Sequence, residues 1–387
     1  MGDTAGVPGA GGVAGAGGSP GADGGGDGAT RTMVYVGCKF WGAPAAVKPE
    51  LRAFELDINT GSFTMVGDPI STAEFPSFLT HSPDNKVLYV NLELKDAIAA
   101  FSINAATGKI GTKINEVAAA TGHSGAAHLS IDATGKWLFQ SYYGSGSFAA
   151  YGVADNGAVG ALVKGFNKGS LVGPNVHSAV AAPSSKFVFV ATAPNAQEEM
   201  KGAKGRLAQL MFDAASGALV PNDPPTVDTG GQARHIAIDP QGQYLYVNNE
   251  RANSVASFKL ADEGKLAMIG APENVLAPTT ANSAAADLRI HPGGKYLYNV
   301  NRGDSTITIL TVDPNGRAKT ASHQKIDGGR DLRNIAINSK GTVLIVPAMG
   351  SNMLYAYRID PQTGLLTKLG AGIMVPAPTG VDIVELK

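Results

Sequence analysis

Cysteine is nearly absent, with Cys38 alone among 387 residues. No disulfide framework and no cysteine-based metal site can be built from a single thiol. Cys38 follows the apolar run Met33-Val34-Tyr35-Val36, and the expectation is a small buried strand-end residue rather than a nucleophile. Charge is also scarce. Charged residues make up 16% of the chain and the net charge is −1, with no basic run to neutralise phosphates, so nucleic acid is not an expected partner. No apolar stretch approaches the roughly 20 residues that a membrane-spanning helix needs. Helical periodicity is missing between the apolar segments, which argues against a parallel α/β sheet.

Glycine, by contrast, is abundant at 50 residues. Many of these glycines fall in residues 1–30, which are nearly all Gly, Ala, Ser, Pro and Asp. Such a segment has too little apolar side chain to offset the entropy of ordering and is expected to be a disordered leader. It lacks the basic and apolar regions of a signal peptide. Its composition resembles the spacer that follows the cleaved signal, or the lipidated cysteine, of exported bacterial proteins. That points to a periplasmic or extracellular location, with a cytoplasmic tail as the alternative.

Residues 31–387 repeat themselves. One unit is a turn followed by an aromatic and β-branched strand. It is seen in His81-Ser82-Pro83-Asp84-Asn85-Lys86-Val87-Leu88-Tyr89-Val90 and again in Ile238-Asp239-Pro240-Gln241-Gly242-Gln243-Tyr244-Leu245-Tyr246-Val247. Its Pro/Asp/Gly clusters have the chemistry of tight turns between antiparallel strands. A second unit is a hairpin of the form Asp-x-x-(x)-Gly-apolar. Its glycines are Gly61, Gly108, Gly157, Gly217, Gly264, Gly316 and Gly364, separated by 47, 49, 60, 47, 52 and 48 residues on subtraction. A period near 50 with four short strands predicts an all-β fold, a seven-bladed β-propeller. The first unit occurs once fewer than the second. The spacing therefore predicts that Gly380 to Leu386 supply the inner strand of blade one, beside Val34-Tyr35-Val36, so that the N- and C-terminal strands pair and close the ring.

The fold alone does not decide function. Informative positions lie where inner strands begin and second strands end, at the mouth of the central channel. Blade four opens with Asn175-Val176-His177-Ser178. Blade five opens with Gly231-Gln232-Ala233-Arg234-His235 and leaves its second strand through Asn248-Asn249-Glu250. Blade six opens with Ala286-Asp287-Leu288-Arg289 and leaves through Asn301-Arg302-Gly303-Asp304. Adjacent blades thus offer a histidine, two arginines and a carboxylate at one solvent-facing rim. Blade four is also the longest repeat, and its excess, Pro194 to Arg206, reads either as a lid or selectivity element or as an ordinary charged loop.

These phrases carry a resemblance. His128-Leu129-Ser130-Ile131-Asp132, His177-Ser178, Arg234-His235-Ile236-Ala237, Val247-Asn248-Asn249-Glu250, Ala285-Ala286-Asp287, Asn301-Arg302-Gly303 and Arg333-Asn334-Ile335-Ala336-Ile337 are similar to the lactonase family of seven-bladed propellers, of the 6-phosphogluconolactonase and carboxymuconate cycloisomerase type. In the cycloisomerase branch the positions matching His177, Arg234, Glu250 and Arg302 form the active site, so the resemblance implies a retained catalytic set. His235, Asp287, Asn249, Arg333 and His128 fall in or beside the same phrases and are expected to bind substrate. Departures surround the set: Pro174-Asn175-Val176-His177-Ser178 replaces Pro-His-Ala-His-Ser, and Gln232-Ala233-Arg234-His235 replaces Gly-Pro-Arg-His. They bear on the choice of a sugar-phosphate substrate rather than on the chemistry.

Opening a lactone needs an activated water, a donor for the oxyanion and a proton for the leaving alkoxide. His177 is the expected general base. Glu250 either orients that histidine or acts as an acid if burial raises its pKa. Arg234 and Arg302 would hold an anion and polarise the carbonyl. No ligand-spaced metal motif accompanies them, and the expected reaction uses neither metal nor cofactor. The expected protein is a monomeric hydrolase of an anionic sugar-acid or related lactone. A cycloisomerase running the reverse lactonisation and a non-enzymatic exported binding or scaffold propeller are the alternatives.

Overall fold

A computed structural model describes residues 30–169, 171–278 and 283–387. The leader expected over residues 1–30 lies outside the described residues except for Thr30. From Arg31 onward the repeat units become seven antiparallel sheets, mostly of four strands. The second strand of each sheet explains the unbroken apolar runs. Val87–Leu92, Trp137–Tyr142, Tyr296–Asn301 and Val343–Ala348 are buried at every position, because a neighbouring sheet covers each face. The core is divided accordingly into seven apolar clusters, each straddling one pair of adjacent blades.

Ring closure is as the spacing predicts. Pro378–Leu386 forms the inner strand of blade one and pairs antiparallel with Arg31–Cys38, placing Val34 opposite Ile383 and Thr32 opposite Glu385. A cluster joining Val34, Val36 and Phe54 to Ile345 and Leu354 then seals blade one against blade seven. Cys38 sits fully buried in that cluster, and burial pushes its thiol up to about 12, which leaves it unreactive.

The outer-hairpin glycines owe their period to contacts between blades. Gly217 of blade four turns with φ +75° over the Trp137 ring of blade three, where a Cβ would stand 2.2 Å from the indole. Gly316 of blade six covers Tyr244 of blade five in the same way. In other copies a tyrosine of the second strand donates to the turn: Tyr35 Oη to Gly108 O at 2.8 Å and Tyr298 Oη to Gly364 O at 2.9 Å. Among the described residues the one α-helix is the five-residue turn Ala196–Met200, and no helix is long and apolar enough to cross a membrane.

Candidate active site

One device repeats at the inner end of the sheets. In blades one to six the register of the inner strand slips near its first residues, leaving one or two residues unmatched by the second strand. The bulges fall at Thr379, Ser77, Ala127, His177, Arg234-His235 and Ala286-Asp287. A bulge re-aims the side chain of its extra residue and is common beside active sites. Here Thr379, Ser77, Ala127, His177, Arg234 and His235 all line a cavity of about 470 Å³ at the channel mouth. A second set enters where the next strand ends. Glu93, Tyr143, Glu250 and Arg302 each follow directly on a second strand, in blades two, three, five and six, and line the same cavity.

The four residues expected to be catalytic meet there. Glu250 is the hub. One carboxylate oxygen accepts from Arg302 Nη2, while the other lies 3.6 Å from His177 Nε2 and 3.8 Å from Arg234 Nε. Burial alone would raise the Glu250 pKa, but Arg234, His177 and Arg302 outweigh it and hold the carboxyl at about 2. Of the two roles left open by the sequence, the orienting anion fits this environment and the raised-pKa acid does not. His177 is held well below its ordinary pKa, first by desolvation and then by the Arg234 charge, so its imidazole is neutral near pH 7. Its ring packs 4.8 Å from that of Tyr143, and its Nδ1 is buried without a hydrogen-bond partner among the described residues.

Arg234 is more enclosed than a rim residue, at 8% exposure, and desolvation lowers its guanidinium to about 10. Its Nη1 donates to Ala286 O and lies 3.0 Å from His235 Nε2. The opposite ring nitrogen of His235 is 2.7 Å from Asp287 Oδ1. Asp287 also accepts from Arg289 Nε and from the Ile335 amide, both at 3.0 Å. Charge therefore runs from Arg289 through Asp287 and His235 to Arg234, fixing the guanidinium that faces the cavity.

The expected substrate-binding residues divide. His235 and Arg333 line the cavity, Arg333 with its guanidinium 4.4 Å over the Phe40 ring and its Nε 3.3 Å from Asp331. Asp287, His128 and Asn249 do not line it. Asp287 is buried behind His235. His128 lies beneath, packed between Phe78 at 4.3 Å and His235 at 5.3 Å, where the rings form a floor across the channel. Asn249 points the other way and donates to Thr229 O and Ser254 Oγ, tying the second strand of blade five to its third strand and to the segment that enters from blade four. These three are corrected from substrate contacts to support. The blade-four excess holds the short helix Ala196–Met200. Its Glu199 accepts from Gln232 Nε2 and pairs with Arg251 Nη1 at 2.6 Å, clasping blade five. None of its residues lines the main cavity.

Sequence reasoning missed the facing wall. Phe40 and Trp41, from the segment between the second and third strands of blade one, line it together with Glu93. Trp41 Nε1 donates to Glu93 Oε1 at 2.8 Å and the indole meets Phe75 edge-on. Glu93 and Tyr143 were findable, since they occupy the post-strand position that singled out Glu250 and Arg302. Phe40 and Trp41 lie outside both repeat units.

Residues 35–383 match the family model described as lactonase, 7-bladed beta-propeller. The chain is 27% identical over 348 residues to a 6-phosphogluconolactonase of Formosa agariphila, covering 86% of this chain and 95% of that one. It is 28% identical over 308 residues to the 6-phosphogluconolactonase of Cronobacter sakazakii, covering 78% and 86%. Among solved structures it resembles the periplasmic gluconolactonase of Pseudomonas aeruginosa, with TM-score 0.78, 22% identity and coverage of 92% and 100%, a likeness that bears on the fold.

Proposed function

The chain belongs to the seven-bladed β-propeller lactonase family, and we propose that it hydrolyses an anionic sugar-acid or related lactone at the mouth of its central channel. The observation that carries this reading is the Glu250 hub, which brings a neutral imidazole and two guanidinium groups to one wall of a cavity. Arg234 and Arg302 share one carboxylate between them, leaving positive charge for a substrate anion and for the oxyanion of the tetrahedral intermediate. Arg333 adds a third guanidinium along the rim.

The steps follow from these positions. A water beside His177 attacks the lactone carbonyl and gives its proton to Nε2. Glu250, ionised and 3.6 Å away, stabilises the imidazolium that forms. The arginines stabilise the carbonyl oxygen as it gains charge. Collapse of the intermediate breaks the ring C–O bond and releases the hydroxy acid. The leader composition and the likeness of the 6-phosphogluconolactonases support the same reading at different levels: the first an exported protein, the second the lactone chemistry.

The test is a panel of anionic and neutral lactones with the purified protein, beside a His177→Ala control of matched folding. Hydrolysis of an anionic lactone that disappears in the control is the expected result. Equal rates for the two proteins across the panel would remove the assignment.

A further inference from the structure

The proposed steps leave one role unassigned, the donor for the leaving alkoxide, since the imidazolium formed at His177 lies beside the Glu250 carboxylate that stabilises it. We propose that Glu93 is that general acid, delivering its proton to the ring oxygen as the C–O bond breaks; this rests on the lactonase reading above.

Topology puts Glu93 in the right place. It follows directly on the second strand of blade two, at the position that Glu250 occupies in blade five. Blades two and five are three apart in a ring of seven, as far as two blades can be, so their carboxyls approach the cavity from opposite sides. With the base His177 and its anion Glu250 on blades four and five, a carboxyl on blade two gives proton acceptance and donation separate places in the cavity.

The two carboxyls also differ in environment. Glu250 is surrounded by cationic partners and stays ionised. Glu93 is set against Trp41, which is its indole N–H donor at 2.8 Å, and desolvation pushes its pKa up despite that bond, the Ser77 hydroxyl and the more distant Arg333 and Arg234. Pairs of carboxyls driven apart in this way divide into anion and acid in known active sites. Other cavity groups fit the role less well. Asp96 already accepts the Ala126 amide at 2.8 Å, and burial pushes the Tyr143 phenol up, away from acidity.

The step balances. Water contributes O–H to the carbonyl carbon and a proton to His177; the ring C–O bond breaks and its oxygen takes the proton of Glu93. The imidazolium and the Glu93 carboxylate then return to their starting forms by proton exchange through solvent.

Leaving-group dependence separates this role from a structural one. Two δ-lactones bearing a carboxylate are compared, one with an alkyl ring oxygen and a benzo-fused counterpart with a phenolic one, which departs without a proton. Glu93→Gln is expected to depress kcat on the alkyl lactone by roughly 10²–10⁴ while leaving the phenolic lactone near the wild-type rate. Glu93→Asp, which keeps a carboxyl, restores part of the alkyl rate. Melting curves establish that each variant is folded. If wild type hydrolyses both lactones and Glu93→Gln loses both equally, or loses neither, Glu93 is not the acid and the lactonase reading stands. If wild type hydrolyses neither, the lactonase reading itself falls and takes this inference with it.

Discussion

His235 Nδ1 lies 2.7 Å from Asp287 Oδ1, and this contact sets the tautomer of a ring whose other nitrogen faces Arg234. With Nδ1–H donated to the carboxylate, Nε2 is left to accept from the guanidinium. Asp287 is 1% exposed and bound on all sides, so its charge is compensated only while Arg289 and His235 remain. Asp287→Ala is therefore expected to cost about 3–5 kcal/mol, the scale of breaking a buried ion pair from one side. Urea denaturation measures it. An unchanged midpoint would mean that Asp287 does not hold the floor of the site.

Acid should unfold the protein in two stages. Burial lowers the pKa of His235 from 6.5 to about 4, and holds His177 and His128 well below their ordinary value too. Below pH 6.5 the unfolded chain binds protons that the folded chain refuses, so stability falls as pH falls. For His235 alone the loss reaches about 3 kcal/mol by pH 4. His81 works in the opposite direction, because burial would lower its pKa but its pair with Asp382 outweighs that and raises it, which offsets part of this. The second stage begins below about pH 4.5, where Glu250, held at about 2, and the still lower Asp287 start to lose stability that is fully present above that pH. Tm followed from pH 8 to pH 3 is expected to decline in both ranges. A Tm that is flat between pH 6.5 and 4.5 would contradict the buried neutral histidines.

Closure gives a third expectation. The terminal strand carries more than its ladder: Asn334 Nδ2 donates to Thr379 O at 2.9 Å and Asn338 Nδ2 to Glu385 Oε1 at 2.9 Å, both from blade seven. Deleting Thr379 to Lys387 removes these bonds and leaves Arg31–Cys38 with an unpaired edge. Aggregation in light scattering, or loss of cooperative melting, should follow. A monomer that melts as the full chain does would show that closure does not depend on this strand.

How far the sequence could be read depended on the repeat. The seven turn glycines exposed the period because each turns with positive φ hard against the preceding blade, and Gly217, Gly264, Gly316 and Gly364 do so over an aromatic ring that leaves no room for a Cβ. The quartet was legible because His177, Arg234, Glu250 and Arg302 stand at blade boundaries within family phrases. Side-chain direction was not. Strand alternation would place Arg234 and His235 on opposite faces, but a two-residue bulge turns both into the cavity, and no local residue announces that slip. Asn249 was misread for the converse reason: it lies inside the strand, one residue short of the mouth, and faces into its own blade. The enclosure of Arg234 was equally hidden, since it comes from His235 and Ala286 O rather than from sequence neighbours of apolar type.

Substituting the quartet should separate proton transfer from anion binding. His177→Ala removes the base and Glu250→Gln removes the charge that stabilises its imidazolium, so both should depress kcat by roughly 10²–10⁴. The arginines are expected to differ from each other. Arg302 meets Glu250 at the open rim, and Arg302→Lys keeps the charge while losing the planar fork, so KM should rise with little change in Tm. Arg234 is buried, and its fork serves Ala286 O, His235 and the Glu250 carboxylate together. A lysine at 234 cannot meet all three, so Arg234→Lys should raise KM and lower Tm as well. Steady-state hydrolysis of an anionic lactone and thermal melting, measured on all four proteins, give the comparison. If the variants lose stability in common and keep their activity per folded molecule, the cluster is a structural knot at the channel mouth, and catalysis lies elsewhere on the propeller.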